Sequence, residues 1–230
     1  MLPVAILAGG LATRLRPLTQ ALPKALVDVH GEPFLAHQLR LLRANGIARV
    51  SICVGHLGEL IEAYVGDGSR FGLRVECVFD GPHLLGTAGA LKQAVPRLGR
   101  AFFVLYGDAY LPCDYRAVQR AFECSGRRAL MTVFHNQRRW DTSNVEYVNG
   151  SIVAYDKQHP TPQMHYIDYG LGVFQRSAFD LVPHGRPADL ATLYQDLLRR
   201  GELAAYEESQ RFYEVGSFAG LEDIRRYLAL

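Results

Sequence analysis

The sequence predicts an α/β fold: a three-layer, Rossmann-like mixed sheet with a parallel first half and a β-richer second half. Two observations carry this reading. Through the first half, short apolar runs alternate with helix-period segments, and the runs are almost continuously apolar, as strands covered by helices on both faces must be. Past about residue 125 the strand-like runs crowd together, with a strong hairpin signal between two of them.

The elements follow in order. PVAILA (3–8) is the first strand and runs into Gly9-Gly10. Pro33 opens a helix in which Leu35, Leu39 and Leu42 recur at helical spacing before Asn45-Gly46 ends it. RVSICV (49–54) is a strand, Leu57 to Val65 a helix closed by GDGSRFG, and LRVECVF (73–79) a strand. Gly86 to Val95 reads as a helix that Pro96 stops, followed by the strand AFFVLY (101–106). In the second half RALMTVFH (128–135), SNVEYV (143–148), SIVAYD (151–156) and YGLGVF (169–174) read as strands that extend the same sheet, with Asn149-Gly150 as a hairpin turn. Helices are expected at about 188–199 and 218–228. No linker, low-complexity tract or internal repeat interrupts the chain, so one domain is expected over 1–230, its halves meeting near residue 125.

Composition narrows the function classes. Lys plus Arg number 25 against 23 Asp plus Glu, a formal net charge of +2, which argues against a general nucleic-acid binder. Cys53, Cys77, Cys113 and Cys124 have no CxxC spacing, so neither a zinc site nor a disulfide framework is expected. Cys53 and Cys77 lie in strand-like runs, as small buried hydrophobes do. His30, His37 and His56 lack mutual metal spacing and read as structural or surface residues. No apolar run approaches a membrane span and no signal-peptide pattern opens the chain, so the expectation is a cytoplasmic protein without membrane partners.

The loop after the first strand carries the chemistry. It contains neither GxxxxGK[ST] nor GxGxxG, so the familiar phosphate loops are absent. Yet Gly9-Gly10 lets backbone approach a ligand closely, with N–H groups turned to phosphate oxygens. Arg14, Arg16 and Lys24 follow on a run stiffened by Pro17 and Pro23. Two anionic phosphate groups brought together repel each other, and fixed cations are what offsets this. Further on, Gly107-Asp108 puts a carboxylate at the carboxyl end of a buried strand, where ligands of open α/β sheets lie. Thr87 is placed to cap the helix that follows it.

The order of residues from Gly9 to Thr19, GGLATRLRPLT, and then Pro23-Lys24-Ala25, closely resembles the GGxGTRLxPLT and PKP signature of the sugar-1-phosphate nucleotidyltransferases. Ala12 and Ala25 depart from that pattern; Arg14 and Lys24 do not. The resemblance continues through LLGTAGALKQA (84–94), VLYGDAYL (104–111), YDK (155–157), YGLGVF (169–174) and FYEVGSFAGL (212–221), nearly the whole chain in the family's order. It implies a GT-A-like nucleotidyltransferase fold, with a nucleotide-binding half over about 1–125 and a sugar-phosphate-binding half over about 126–230.

The resemblance also implies roles. Leu7, Ala8, Gly9, Gly10 and Thr13 would hold the NTP, with Gly86 and Thr87 near its base. Arg14 would clamp the departing pyrophosphate, its guanidinium fork meeting phosphate oxygens in pairs. Lys24 would steady the reacting phosphates. Asp108 would be a Mg²⁺ ligand and Glu214 the second, where many relatives carry aspartate. Asn144, Lys157 and Gly170 would line the sugar-phosphate pocket, with Trp140, Asp141 and Tyr169 as further candidates. The activity implied is transfer of a nucleoside monophosphate to a sugar 1-phosphate. LGTAGAL and the chain's length resemble the mannose and manno-heptose guanylyltransferases. Uridylyl or thymidylyl transfer to another sugar 1-phosphate, or a non-catalytic nucleotide-sugar-binding regulatory subunit, are the alternatives. A homodimer is compatible with the family. With no hexapeptide repeat in the sequence, a second, acetyltransferase activity is not expected.

Overall fold

The computed structural model describes residues 1–10, 15 and 17–229. In chain order the elements are β1 (Val4–Leu7), β2 (Asp28–Val29), β3 (Glu32–Pro33), α1 (Phe34–Ala44), β4 (Arg49–Val54), α2 (Gly58–Val65), β5 (Arg74–Phe79), α3 (Gly86–Leu98), β6 (Ala101–Tyr106) and β7 (Ala109–Tyr110). They continue as α4 (Tyr115–Ser125), β8 (Ala129–Phe134), β9 (Val145–Val148), β10 (Ser151–Tyr155), β11 (Ile167–Gln175), α5 (Leu190–Arg199), β12 (Leu203–Glu208), β13 (Tyr213–Glu214) and α6 (Phe218–Leu228). Seven strands form the main sheet in the order β12-β8-β11-β6-β1-β4-β5. The β6-β1-β4-β5 block is parallel, as the apolar runs predict. β11 enters antiparallel to both β6 and β8, and β12 lies parallel to β8. The sheet is therefore mixed.

Strand periodicity divides the core between the two faces. Val4, Ile6, Val50, Ile52, Phe103 and Leu105 face one side with Leu35, Leu39 and Leu42 of α1, Ile61 of α2, and Val118 and Phe122 of α4. Ala5, Cys53, Phe102 and Val104 face the other with Leu91, Ala94 and Leu98 of α3 and Leu193 and Leu197 of α5. Both clusters draw residues from both halves of the chain. A smaller cluster of Val27, Val29, Phe34, Val215, Leu221 and Ile224 seats α6 against β2 and α1.

Four expectations are corrected. α3 continues to Leu98 with Pro96 inside it; a proline one turn from the end forfeits a single backbone bond. The second-half strands do not all extend the main sheet, because β9 and β10 form a separate hairpin around Asn149-Gly150, joined beyond it by a single bridge from Val145 to Tyr166. YGLGVF is the middle of a longer strand that begins at Ile167. Thr87 does not cap α3: Leu85 holds the N-cap position without a side-chain bond. The sequence reading also passed over α4, which Asp114 caps by accepting from the Arg116 and Ala117 N–H groups, and over β12 and the two-residue ladders.

Candidate active site

Two adjoining cavities open at the carboxyl ends of β1 and β6. The first, of about 270 Å³, is lined by Leu7, Ala8, Gly9, Gly10, Lys24, Gly86, Thr87 and Asp108 among others, so the structure brings these predicted residues together. Its floor requires glycine. A Cβ on Gly107 would sit 2.6 Å from the Leu7 carbonyl oxygen, and one on Gly9 would sit 3.0 Å from the Gly55 nitrogen. Gly10 has nothing within 4 Å of its notional Cβ and leaves the space open. Thr13 and Arg14 lie outside the described residues.

The far wall of this cavity is tied to α5. Gly86 has φ +69°, and a Cβ there would meet the Ala188 carbonyl oxygen at 2.7 Å. That same oxygen accepts from the Ala88 and Gly89 N–H groups at 2.9 and 3.3 Å, which satisfies the first turn of α3. The Thr87 hydroxyl accepts from the Leu190 N–H at 2.7 Å and donates at 3.2 Å to Asp189, the N-cap residue of α5, so it braces the start of α5 instead.

Lys24 and Asp108 meet at the near end. Lys24 opens a single 3-10 turn anchored by buried Ala25 and Leu26, and its Nζ donates to Asp108 Oδ2 at 2.8 Å. Asp108 lines both cavities. Its backbone carbonyl accepts from the Val215 N–H at 2.8 Å, and Glu214 pairs with Ala109 in the β7-β13 ladder. This ladder sets two carboxylates on neighbouring strands at one cavity. Among the described residues no third His, Cys, Asp or Glu joins them in a metal-ligating cluster. Such a carboxylate pair would suit Mg²⁺, which completes its shell with water and substrate oxygens.

The second cavity, of about 340 Å³, is lined by Asn144, Lys157, Gly170 and Glu214 together with Asp141, Thr142, Asp168 and Tyr169. Asp168 organises this side. Its side chain is only 2% exposed and pairs with Lys157 Nζ at 3.2 Å. It also accepts from the Tyr155 hydroxyl at 3.3 Å and the Gly170 N–H at 3.1 Å, while its own N–H donates to Asn144 Oδ1 at 2.9 Å. Gly170 adopts φ +97° inside a register shift of β11 between Asp168 and Gly172, the kind of bulge that re-aims a side chain. The readable signal was a carboxylate within an apolar strand, which must be paired to be buried.

Lys157 also donates to the Tyr106 hydroxyl at 3.2 Å. Burial works against its charge, but Asp168 and then Tyr106 outweigh that, so its pKa lies above the usual lysine value. Burial pushes the Tyr106 phenol up to about 12, with Lys157 pulling the other way. Tyr169 is buried against Phe134 and Phe212. Trp140 stacks under the Arg211 guanidinium at 3.3 Å while Asp141 beside it reaches the cavity wall. His30 and His37 bond backbone carbonyls of Arg225 and Val29, and all four cysteines are free.

The comparisons with known proteins agree with this architecture. The family described as Nucleotidyl transferase matches residues 4–228. The chain is 28% identical over 224 residues to the N-acetylmuramate alpha-1-phosphate uridylyltransferase of Neisseria meningitidis, covering 95% of this chain and 94% of that protein. It is 30% identical over 217 residues to the mannose-1-phosphate guanylyltransferase of Mycobacterium tuberculosis, covering 87% of this chain and 56% of that one. Other curated relatives are likewise matched over only 30 to 60% of their length. A crystal structure from Bacillus anthracis, described as a glucose-1-phosphate thymidylyltransferase, superposes with TM-score 0.87 at 22% identity, over 99% of this chain and 95% of that one. This chain belongs to the sugar-1-phosphate nucleotidyltransferase family. Among the described residues no helix is long and apolar enough to cross a membrane.

Proposed function

We propose that the chain transfers a nucleoside monophosphate from an NTP to a sugar 1-phosphate and releases pyrophosphate. The observation that carries this reading is the junction of two cavities at Tyr106 and Asp108. A glycine-floored cavity on one side suits a triphosphate, and a cavity with a fixed lysine on the other suits a second phosphate. In the proposed reaction an oxygen of the sugar phosphate attacks the α-phosphorus, the bond to the bridging oxygen of the β-phosphate breaks, and pyrophosphate leaves in line. The attacking oxygen is already ionised near neutral pH, since a phosphate monoester has its second pKa near ~6, so no general base is required. Positioning and charge neutralisation drive such a transfer.

In this reading the Gly9-Gly10 backbone and Lys24 hold the nucleotide phosphates, and Lys157 holds the sugar phosphate. By the family resemblance Arg14 takes the pyrophosphate. Asp108 and Glu214 would hold Mg²⁺, which neutralises phosphate charge when bound. We infer GTP and a mannose- or manno-heptose-type sugar 1-phosphate as substrates, supported by LGTAGAL and the mycobacterial relative. The relative from Neisseria, matched almost end to end, favours a uridylyl reading in its place. Soluble phosphorylated substrates are consistent with work in the cytoplasm.

The test is pyrophosphate release with Mg²⁺, five NTPs (GTP, UTP, dTTP, CTP, ATP) and a panel of sugar 1-phosphates, with Asp108→Ala alongside. Release with one base and one sugar, lost in the variant, is the expected result. Tight nucleotide-sugar binding without turnover would replace the reading with a regulatory one, and absence of both would overturn it.

A further inference from the structure

A polar residue interrupts the apolar stripe of α1. Gln38 stands three residues after Leu35 and four before Leu42, on the buried side of the helix, and is 1% exposed. Burying and ordering a glutamine there is unfavourable unless its amide finds partners. It finds them 68 and 71 residues along the chain: Nε2 donates to the Tyr106 carbonyl at 3.0 Å and to the Ala109 carbonyl at 2.6 Å. Two carbonyl acceptors take both amide hydrogens, which assigns the nitrogen to that side. Oε1 has no hydrogen-bond partner among the described residues.

The two carbonyls bracket Gly107-Asp108, the turn that joins β6 to β7 and brings Asp108 to the junction of the cavities. Main-chain bonds hold the same turn from other directions. The Gly107 N–H donates to the Leu7 carbonyl at 2.9 Å, and the Asp108 carbonyl accepts from the Val215 N–H at 2.8 Å. Gln38 adds a side-chain clamp from the helix layer. One planar amide bonded to both carbonyls fixes their separation, and with it the opening of the turn and the aim of the Asp108 carboxylate. Lys24 bonds that carboxylate directly, but its flexible stem cannot set the backbone beneath it.

We propose that Gln38 is a positioning residue for Asp108, holding the turn so that the carboxylate stays where both cavities meet. The inference rests on the reading of Asp108 as part of a nucleotidyl-transfer site. Such sites tolerate little displacement: groups that orient a metal-binding carboxylate are worth roughly ten- to a hundredfold in metal affinity or activity.

Two variants test it with the substrate pair that turns over. Gln38→Met keeps the length and has no N–H; Gln38→Glu keeps the shape and turns an acceptor towards the carbonyls. At saturating Mg²⁺, Gln38→Met should lower kcat by roughly ten- to a hundredfold with both KM values within about twofold, and the Mg²⁺ needed for half-maximal rate should rise. Gln38→Glu should lose at least as much. Hydrogen exchange read by mass spectrometry, without Mg²⁺ or substrates, is the second readout. In Gln38→Met, segments 104–110 and 211–217 should exchange faster by a larger factor than β8, because the Gly107 and Val215 N–H bonds loosen with the turn. Unchanged kcat in Gln38→Met, or exchange accelerated equally in the turn and in β8, would overturn the assignment of Gln38 and leave the reaction reading standing. No turnover by the unaltered chain with any pair would overturn the reaction reading and this inference with it.

Discussion

In the proposed reading the two cavities solve the same problem, holding a phosphate group, with different materials. The nucleotide side is built from backbone and small residues: Gly9 and Gly107 let three chain segments close on one another. The other side is built from side chains of separate strands: Lys157 after β10, Asp168 and Gly170 in β11, and Asn144 before β9, joined by hydrogen bonds. Backbone cradles tolerate little substitution, because any added atom meets main chain. Side-chain networks can be altered one member at a time, which suits the side that must fit different sugars. Asp108 and Tyr106 belong to both.

That shared point gives the largest expected effect. Asp108→Ala should reduce turnover by roughly a thousandfold, as loss of a central charge-organising group does, measured as pyrophosphate release. Equal activity in the variant would dissolve the link between the cavities.

The nucleotide side breaks on bulk. Gly107→Ala places a Cβ 2.6 Å from the Leu7 carbonyl oxygen and should destabilise the fold by about 1–3 kcal/mol, read from urea unfolding. Gly10→Ala has open space and should leave stability almost unchanged. Equal losses would mean that the floor is not set by close backbone approach.

The sugar side breaks on charge. Asp168→Asn removes the partner of Lys157 and should raise the KM for the sugar 1-phosphate by roughly tenfold with a smaller change in kcat. The pH profile separates this from a merely structural loss. In the unaltered chain the Lys157 pKa is raised, so its cation persists as pH increases and is lost only above the usual lysine range; KM should stay flat from about pH 7 to 9. Without Asp168 burial is less opposed, the lysine pKa falls, and KM should begin to climb within that window.

The smallest effect concerns reactivity. Cys53, on the nucleotide cavity wall, has its thiol pushed up to about 12, chiefly by burial. It should stay protonated and resist iodoacetamide at pH 8, while exposed Cys124 is labelled, as mass spectrometry would report.

The same contrast explains what was legible in the sequence. Strands β1, β4, β5 and β6 read directly as apolar runs, and the nucleotide side lies at their ends, so Gly9, Gly10, Lys24 and Asp108 were visible as local patterns. Asp168 gained its role only from a bulge that turns it towards Lys157, a residue a strand and a loop away. Thr87 reads locally as a cap for α3, but tertiary contact ties it to the start of α5, beside the N-cap Asp189. Tyr213 and Glu214 gave no strand signal, because a two-residue ladder is fixed by its partner and not by its own propensity.

The division of labour between the cavities is the central claim, and Lys157→Ala tests it most directly. With the substrate pair that the panel identifies, the account predicts a KM for the sugar 1-phosphate raised by roughly tenfold or more and a KM for the NTP within about twofold of the unaltered enzyme. A KM for the NTP that rises as much as that for the sugar phosphate would contradict it.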